Sequence, residues 1–258
     1  MTLIAIFTDF GLDGPYTGQM KAALHHGAPA AAVIDLFADA PAFDPKASAY
    51  LLAAHVAPLP SDTVVLGVVD PGVGSDRAGV MVEADGRWFV GPDNGLFALA
   101  ARRARTVRVF PVFSAPGRLS ASFHGRDVFA PAAARLARGE RPDESEALDA
   151  ARVDRPDWPD DLGQVIYIDH YGNAMTGLRA PGLAKHADLV AHGRPMRRAR
   201  TFSDVPVGQP FWYENANGLA ELAVNQGRAD VALGLRTGDR VDVRPAAGVL
   251  GGASAAMA

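Results

Sequence analysis

Cysteine is absent from the 258-residue sequence. Disulfides, thiolate nucleophiles and zinc–thiolate sites are therefore excluded. No apolar run reaches the length of a transmembrane helix. The first ten residues, MTLIAIFTDF, have no basic segment and reach Asp9 too early for a signal peptide. We therefore predict a cytoplasmic protein with no membrane partner.

Neither sign of charge dominates the sequence. Lys and Arg number 25 against 29 Asp and Glu, which gives a formal net charge of −4. This balance gives no sign of a nucleic-acid partner. Charged residues make up 21% of the chain and hydrophobic residues 48%, as is typical of globular proteins.

Four familiar catalytic signatures are also missing. The sequence contains no GxGxxG and no GxxxxGK[ST], so neither a dinucleotide fingerprint nor a P-loop is supported. It contains no GxSxG and no HExxH, so a hydrolase elbow and a zincin site are unsupported too. No metal-ligand spacing is evident, and we expect neither a metal nor a cofactor.

The first part of the chain alternates between two kinds of segment. Short apolar runs are typical of strands that are covered on both faces, as in a parallel sheet. Helical stretches separate them, and a later Asp85-Gly86 turn predicts a hairpin. The pattern predicts an α/β domain with a mostly parallel sheet over residues 1–150. The predicted strands are Leu3–Thr8, Ala31–Phe37, Thr63–Val69 and Thr106–Phe110, the hairpin spans Gly79–Gly91, and the predicted helices are Tyr16–His26, Pro45–Val56, Gly95–Arg105 and Asp127–Arg138.

The pattern changes after Gly139. Residues 139–163 are rich in Pro and charge and predict a linker or a long surface connection. Short strand-like segments separated by Gly and Asn turns follow, and they predict a smaller all-β, barrel-like domain over residues 151–258. The Ala- and Gly-rich tail, residues 246–258, is expected to be frayed. The predicted strands are Gln164–Asp169, Asp188–Ala191, Pro210–Glu214, Glu221–Val224 and Arg240–Arg244.

Two aspartates stand at the carboxyl ends of predicted strands, where ligands bind in open α/β sheets. Asp9 could accept both hydroxyls of a ribose, or it could simply cap the next helix. Asp70 ends the third strand, and the turn Pro71-Gly72-Val73-Gly74 can bring Arg77 back to it. This pair could act on a ligand or be an ordinary structural ion pair.

Two further clusters could carry chemistry. His124 lies between Phe123 and Gly125 just before a helix, and an imidazole suits proton transfer near neutral pH. In the second half, IDHYGN and ENANG place asparagines at strand-to-turn junctions. Such asparagines can read an adenine edge or a carboxylate, but they are also ordinary turn residues.

Taken together, six motifs resemble one family, the S-adenosyl-L-methionine hydroxide adenosyltransferases, which are related to the fluorinase and chlorinase. They occur in the family's order and span most of the chain. The resemblance implies an α/β N-terminal domain, a smaller β-barrel C-terminal domain and a homotrimer with active sites between subunits. The motifs are TDFGLDGPYTGQMK, VVDPGVGSDR, VGPDNGLF, SFHGRDVFAP, IDHYGN and NANGLAELAVNQG.

The resemblance also implies the catalytic residues. The family uses an Asp-Arg-His set to handle the attacking water, and the matching residues are Asp70, Arg77 and His124. The halogenating relatives have a tyrosine at the position of His124 and an additional loop between the regions that match Arg77 and Trp88. That segment is short in this sequence, so both features favour water over halide.

The resemblance further implies substrate contacts. Asp9 matches a carboxylate that holds the ribose diol, and Asn173 matches an adenine-reading asparagine. Asn217 and Ala216 depart from the arginine and serine that the fluorinase uses near the methionine carboxylate. The full set of predicted substrate-binding residues is Asp9, Asp13, Phe43, Phe123, Asp169, Asn173, Asn215 and Asn217.

The sequence therefore predicts hydrolysis of S-adenosyl-L-methionine (SAM) to adenosine and L-methionine, with SAM as the small-molecule partner. Two alternatives stay open at this point. One is a SAM-dependent halogenase or a SAM binder with negligible turnover. The other is a metal-dependent phosphoesterase that would use five side chains: Asp9, Asp70, Asp127, Asp169 and His170.

Overall fold

A computed structural model describes residues 2–113 and 119–245 of the chain. The chain divides into two compact units, Met1–Asp160 and Asp161–Ala258. The division falls ten residues after the predicted boundary, because part of the expected linker packs on the first unit. The Arg102 guanidinium donates to the Trp158 carbonyl oxygen at 2.7 Å and to Asp154 Oδ1 at 2.9 Å. The expected frayed tail, residues 246–258, lies outside the described residues.

The first unit is built on a six-stranded sheet in the order β2-β1-β3-β5-β4-β6. The strands β2, β1, β3 and β5 are parallel, and β4 is antiparallel to both of its neighbours. The prediction of an α/β fold with a mostly parallel sheet is confirmed. The strands are β1 (Leu3–Thr8), β2 (Ala32–Phe37), β3 (Val64–Val68), β4 (Gly79–Ala84), β5 (Arg87–Pro92) and β6 (Val107–Pro111).

Helices cover the two faces of this sheet. Because side chains alternate along a strand, Ile4 and Ile6 of β1 face one core and Phe7 faces the other. The first core contains α1 and α4, and Phe37 connects the second face to His55 of α2 through ring contacts of 5.3 and 4.9 Å. The helices are α1 (Tyr16–Gly27), α2 (Pro45–His55), α3 (Ala98–Arg102) and α4 (Ala130–Ala137).

Local sequence chemistry explains several element boundaries. Asp44 caps α2 through its carboxylate, which accepts the Ala47 N–H at 2.9 Å, and Pro45 occupies the first turn. Asp85 and Gly86 both have positive φ, 49° and 86°, as the two-residue turn between β4 and β5 requires. A single turn of π-helix, Gly125–Phe129, precedes α4.

One expectation about the sheet is wrong. We expected the second strand to be covered on both faces, but β2 is the edge strand and Ile34 is 37% exposed. Its apolar sequence resembles that of β1 and β3, which are almost fully buried. Run composition does not distinguish a central strand from an edge strand, since both satisfy the same short apolar pattern.

Within residues 161–245, the second unit contains two antiparallel sheets, in the orders β11-β12-β8-β7 and β10-β9-β13. One short helix, α5, lies among these strands and was not predicted; the same holds for β8 and β10. The elements are β7 (Leu162–Ile168), β8 (Ala174–Arg179), β9 (Ala187–Ala191), β10 (Arg194–Met196), β11 (Pro210–Glu214), β12 (Leu219–Val224), α5 (Ala229–Leu233) and β13 (Asp242–Pro245).

Candidate active site

The first site lies at the carboxyl edge of two neighbouring parallel strands. Thr8 at the end of β1 is in register with Val68 at the end of β3. Asp9 and Asp70 follow these strand ends. The negative charge of Asp70 is one of the causes that raise the pKa of Asp9. The sheet topology therefore brings together two carboxylates that lie 61 residues apart in sequence (70 − 9).

Asp70 and Arg77 form an ion pair, as the sequence predicts. The Arg77 guanidinium donates to Asp70 Oδ2, and its other terminal nitrogen donates to the Ala78 carbonyl oxygen at 2.6 Å. The Asp70 side chain is 4% exposed and that of Arg77 is 13% exposed. Because the pair is largely buried, its charges are screened less than those of a surface pair, and the hydrogen bonds fix the orientation of the carboxylate.

The turn between the two residues supports this geometry. The Gly72 N–H donates to Asp70 Oδ1 at 3.2 Å, so both carboxylate oxygens have a partner. Gly74 has φ of +84°, and a Cβ at this position would lie 2.8 Å from the Ala121 carbonyl oxygen. Glycine is therefore required at Gly74 for both backbone conformation and space.

Asp9 is held by a different kind of partner. Its Oδ2 accepts the Phe43 backbone N–H at 3.0 Å. Burial raises the pKa of Asp9, the Phe43 N–H opposes that rise, and the charge of Asp70 adds to it. Phe43 has a left-handed backbone with φ of 58°, and its side chain is 78% exposed. A phenylalanine in this conformation is strained, and such strain often marks functional positions.

His124 stands at the start of the π-turn that precedes α4. Single π-turns inside helices are frequent at functional sites. The residues after it are fixed by an internal pair: Arg126 donates to both oxygens of Asp127, at 2.6 and 3.0 Å. The Ser120 N–H donates to Asp127 Oδ2 at 2.8 Å, and Arg126 is the leading cause of the lowered pKa of Asp127. These contacts hold the segment that presents His124.

Asp9, Asp70 and His124 line one cavity of about 510 Å³. Its volume lies in the range of small-molecule sites. The rings of Phe10, Tyr16 and Phe123 contact one another edge to face, with centroids 5.5–6.1 Å apart, and form an aromatic wall. The lining residues are Asp9, Phe10, Tyr16, Gln19, Phe43, Val68, Asp70, Val73, Ser120, Ser122, Phe123, His124, Gly125 and Arg126.

The second unit has a cavity of its own, of about 720 Å³. Asp169 and Asn173 lie on its wall and bind each other: Asp169 Oδ1 accepts the Asn173 backbone N–H at 2.8 Å, and Oδ2 accepts Asn173 Nδ2 at 3.1 Å. Its lining residues are Asp169, Tyr171, Asn173, Phe202, Tyr213, Val224, Asn225, Gln226, Gly227 and Arg228.

Asn215 and Asn217 lie in the turn between β11 and β12. Asn215 Oδ1 accepts the backbone N–H groups of Asn217 and Leu219, both at 3.0 Å. Asn215 Nδ2 donates to Glu221 Oε2 at 2.7 Å. Most of the hydrogen-bonding capacity of Asn215 is thus used within the protein, and its predicted role in substrate binding stays a prediction.

Nine of the eleven predicted site residues fall into three groups in the structure. Five line the cavity of the first unit, two line that of the second unit, and Asn215 and Asn217 share the turn between β11 and β12. Arg77 does not line the first cavity, but it forms an ion pair with Asp70, which does. Asp13 is exposed and lines neither cavity, and its assignment stays a prediction.

Sequence reasoning missed several cavity residues. Tyr16 and Gln19 were read only as part of a helix, although they line the first cavity. Tyr213, which lines the second cavity, was read only as a strand residue. The same holds for Glu221, which lines neither cavity but accepts the Tyr213 hydroxyl at 2.6 Å. A glutamate within the apolar run LAELAV was the one available signal, since carboxylates are rarely buried without a partner.

The described residues contain neither a candidate metal cluster nor a candidate membrane span. Within residues 2–113 and 119–245, no three His, Cys, Asp or Glu side chains are grouped so that they could hold a metal ion. The ligand cluster that a metal-dependent phosphoesterase needs is therefore not formed by these residues. Among the same residues, none of the helices has the length and apolar character needed to cross a membrane.

The cavity lies at the carboxyl ends of parallel strands and is lined by charged side chains, a histidine and an aromatic wall. These features define an α/β protein with a site for a polar small molecule. A family model described as SAM hydroxide adenosyltransferase N-terminal domain matches residues 4–146. The model of the C-terminal domain of that family matches residues 163–242. The chain belongs to the SAM hydroxide adenosyltransferase family, and the predicted resemblance is confirmed.

Curated relatives match over nearly the whole chain. The (R)-S-adenosyl-L-methionine hydrolase of Thermus thermophilus is 43% identical, and the match covers 92% of this chain and 98% of that protein. A protein of the same name from Salinispora arenicola is 38% identical, with 93% and 97% covered.

Two solved structures are similar to this chain in fold. A conserved hypothetical protein from Thermus thermophilus has a TM-score of 0.75 at 38% identity, covering 95% of this chain and 100% of that chain. An uncharacterized conserved protein from Thermotoga maritima has a TM-score of 0.77 at 27% identity, covering 93% and 99%.

Proposed function

We propose that the protein hydrolyses SAM to adenosine and L-methionine by displacement at the ribose C5′ carbon. The observation that carries the proposal is the buried Asp70–Arg77 pair on the same cavity as His124 and Asp9. The names of the curated relatives support the same substrate and reaction.

The proposed reaction balances with water alone. The water oxygen forms a bond to C5′, the C5′–sulfur bond breaks, and its electron pair returns to sulfur. Methionine leaves as a neutral thioether, so no acid is needed for the leaving group. The difficulty lies in the nucleophile, because bulk water has a pKa of about 15.7 and hydroxide is scarce at neutral pH.

The catalytic side chains would solve this difficulty together. In the proposal, Arg77 orients the Asp70 carboxylate, and Asp70 and His124 bind and polarise the attacking water. His124 is the proposed proton acceptor, because Asp70 is already engaged by a guanidinium. A positioned base contributes typically about 10²–10⁴-fold, and alignment opposite the sulfur adds to it.

Other residues of the first unit would bind the nucleoside and the ammonium group. We assign Asp9 to the two ribose hydroxyls, since the Phe43 N–H engages only Oδ2 and a carboxylate has further acceptor capacity. Phe43 and Phe123 would form apolar walls beside the ribose, and both line the cavity. Asp13 is the proposed partner of the methionine ammonium.

The second unit would supply the remaining contacts. We assign Asn173 to the adenine edge and Asp169 to the methionine portion, since they share one cavity wall. Asn215 and Asn217 are the proposed contacts near the methionine carboxylate. Because Asn217 and Ala216 stand where the fluorinase has an arginine and a serine, these two positions do not reproduce the fluorinase's contacts to that carboxylate.

We also propose that the protein is a cytoplasmic homotrimer with active sites between subunits and that it uses no cofactor. Mixing two inactive variants tests the shared site: Asp70→Ala damages only the first unit and Asn173→Ala only the second. In a trimer with shared sites, exchange of subunits after mild dissociation restores part of the activity. The proposal would be contradicted if the mixed variants stayed inactive and size-exclusion chromatography showed the protein to be a monomer.

Product analysis tests the reaction itself. The purified protein is incubated with SAM and the products are identified by mass spectrometry, with and without chloride and a chelator. We expect equimolar adenosine and methionine in every arm. A chlorinated nucleoside would indicate a halogenase, loss of activity with the chelator would indicate metal chemistry, and unchanged SAM would overturn the proposed reaction.

A further inference from the structure

A carboxylate is buried in the middle of the second unit. Glu221 belongs to β12, an interior strand of its sheet, and is only 2% exposed. Neither of its two hydrogen-bond donors is charged: Tyr213 Oη donates to Oε1 at 2.6 Å, and Asn215 Nδ2 donates to Oε2 at 2.7 Å. Burial of a carboxylate whose hydrogen-bond donors are both neutral lowers the stability of the fold. Its presence at this position therefore needs an explanation.

The pKa of Glu221 reflects this cost. Burial raises the pKa, and the nearby charge of Asp169 raises it further. The hydrogen bonds from Tyr213 and Asn215 oppose the rise. A neutral apolar residue at this position would avoid the cost altogether, so the carboxylate has to do something that an apolar residue does not.

What Glu221 does is fix the orientation of the Asn215 amide. An ionised carboxylate only accepts hydrogen bonds, so the nitrogen of the amide has to face it. The amide oxygen then faces the opposite way, where it accepts the N–H groups of Asn217 and Leu219. The turn is closed by the Gly218 N–H, which donates to the Asn215 carbonyl oxygen at 3.0 Å. A flipped amide would set donor against donor and open this turn.

Glu221 also connects this turn to the wall of the second cavity. Tyr213 lines that cavity together with Asp169 and Asn173, and its hydroxyl is held by Glu221. One carboxylate thus orders two separate surfaces of the second unit, the turn at Asn217 and the cavity wall at Tyr213.

We propose that Glu221 is a positioning residue for SAM binding, which holds the Asn215–Gly218 turn and Tyr213 in the arrangement that receives the substrate. The inference rests on the proposed function, since both surfaces matter only if they bind SAM. It adds a residue that touches no substrate and acts through its two partners.

Two substitutions separate the roles of the two carboxylate oxygens. In Glu221→Gln the amide oxygen can still accept from Asn215, while its nitrogen donates to Tyr213 and turns the phenol proton away. In Glu221→Leu both contacts are lost and two buried donors have no partner. We therefore expect the leucine variant to be affected more than the glutamine variant.

The measurement is steady-state adenosine release, with KM and kcat determined separately, and the thermal midpoint of each variant. We expect Glu221→Leu to raise KM roughly 10- to 100-fold and Glu221→Gln roughly 3- to 10-fold, with kcat within about threefold of wild type. Asp161→Asn is the matched control, because Asp161 accepts several hydrogen bonds from Arg179 in the same unit and lines neither cavity. It should lower the thermal midpoint without changing KM.

The outcomes are distinct. A wild-type KM in both folded Glu221 variants would overturn the inference, as would an equal rise of KM in Asp161→Asn. If the leucine variant does not fold, Glu221→Gln and Tyr213→Phe decide, and unchanged KM values in both would overturn it. Failure of the wild-type protein to release adenosine would instead refute the proposed function, on which the inference depends.

Discussion

Asp70 in the first unit and Glu221 in the second are both buried carboxylates, but their partners differ in charge. Asp70 accepts from the guanidinium of Arg77 and faces a cavity. Glu221 accepts from the neutral side chains of Tyr213 and Asn215 and lines neither of the two cavities. In the proposed mechanism the first carboxylate acts on the bound water, whereas the proposed role of the second is to orient protein groups. Substitutions should therefore affect turnover in one unit and binding in the other.

The largest effect should come from His124. We expect His124→Ala to lower kcat about 10²- to 10⁴-fold, since the proposed proton acceptor is lost, while KM changes little. His25→Ala, at an exposed position on α1, is the control and should have wild-type kinetics. If His124→Ala kept most of its turnover while Asp70→Ala lost it, the proton acceptor would be Asp70.

Arg77→Lys tests whether orientation matters in addition to charge. The guanidinium spans Asp70 and the Ala78 carbonyl oxygen, and an ammonium group cannot reproduce that fork. We expect kcat to fall roughly 10- to 100-fold, because Asp70 would lose its fixed direction. Arg108→Lys, at an exposed pair with Glu83, should leave the kinetics unchanged. Equal effects of the two substitutions would mean that only overall charge counts.

The pH dependence of stability should reveal the carboxylate in the second unit. Burial raises the pKa of Glu221 above its ordinary value of 4.5. Between 4.5 and the raised value the folded state binds more protons than the unfolded state, so the free energy of unfolding falls as the pH rises. Glu221→Gln cannot titrate and lacks this contribution. Urea unfolding across about pH 4–8 should show a wild-type minus variant difference that falls with pH, and a flat difference would contradict the assignment.

Phe43→Gly should have the smallest effect. We expect it to keep or raise the stability of the fold and to weaken substrate binding. Glycine relieves the positive φ of Phe43, worth about 1 kcal/mol, although its greater freedom when unfolded offsets part of the gain. Loss of the exposed ring should raise KM a few-fold if it lies beside the ribose. A thermal midpoint at or above wild type combined with a higher KM is the expected result. Loss of stability would show that the ring supports the fold.

The sequence was sufficient for the fold wherever the pattern was local. Apolar runs, the Pro45 helix start and the Asp85-Gly86 turn each depend on neighbours in sequence, and the structure confirms those elements. The edge position of β2 was missed because it depends on strand order, which no single run encodes. The short α5 helix was missed because five residues leave little periodic signal.

The site residues could be predicted where they belong to sequence motifs that resemble those of the family. The resemblance drew attention to Asp9, Asp70 and His124, which line one cavity. Asp9 and Asp70 meet there because of the parallel register of β1 and β3, whereas His124 lies at the start of the π-turn before α4. The pairing of Glu221 with Tyr213 could not be predicted in the same way. It depends on the cross-strand register of β11 and β12, which sets these two residues opposite each other.

The central claim is that the cavity of the first unit delivers water to C5′. The most direct test is to run the reaction in ¹⁸O-labelled water and to locate the label by mass spectrometry. We predict ¹⁸O in the 5′-hydroxyl of adenosine and none in methionine, at a rate that falls in parallel in Asp70→Ala and His124→Ala. Unlabelled adenosine, or labelled adenosine that both variants form as fast as the wild-type protein, would contradict the account.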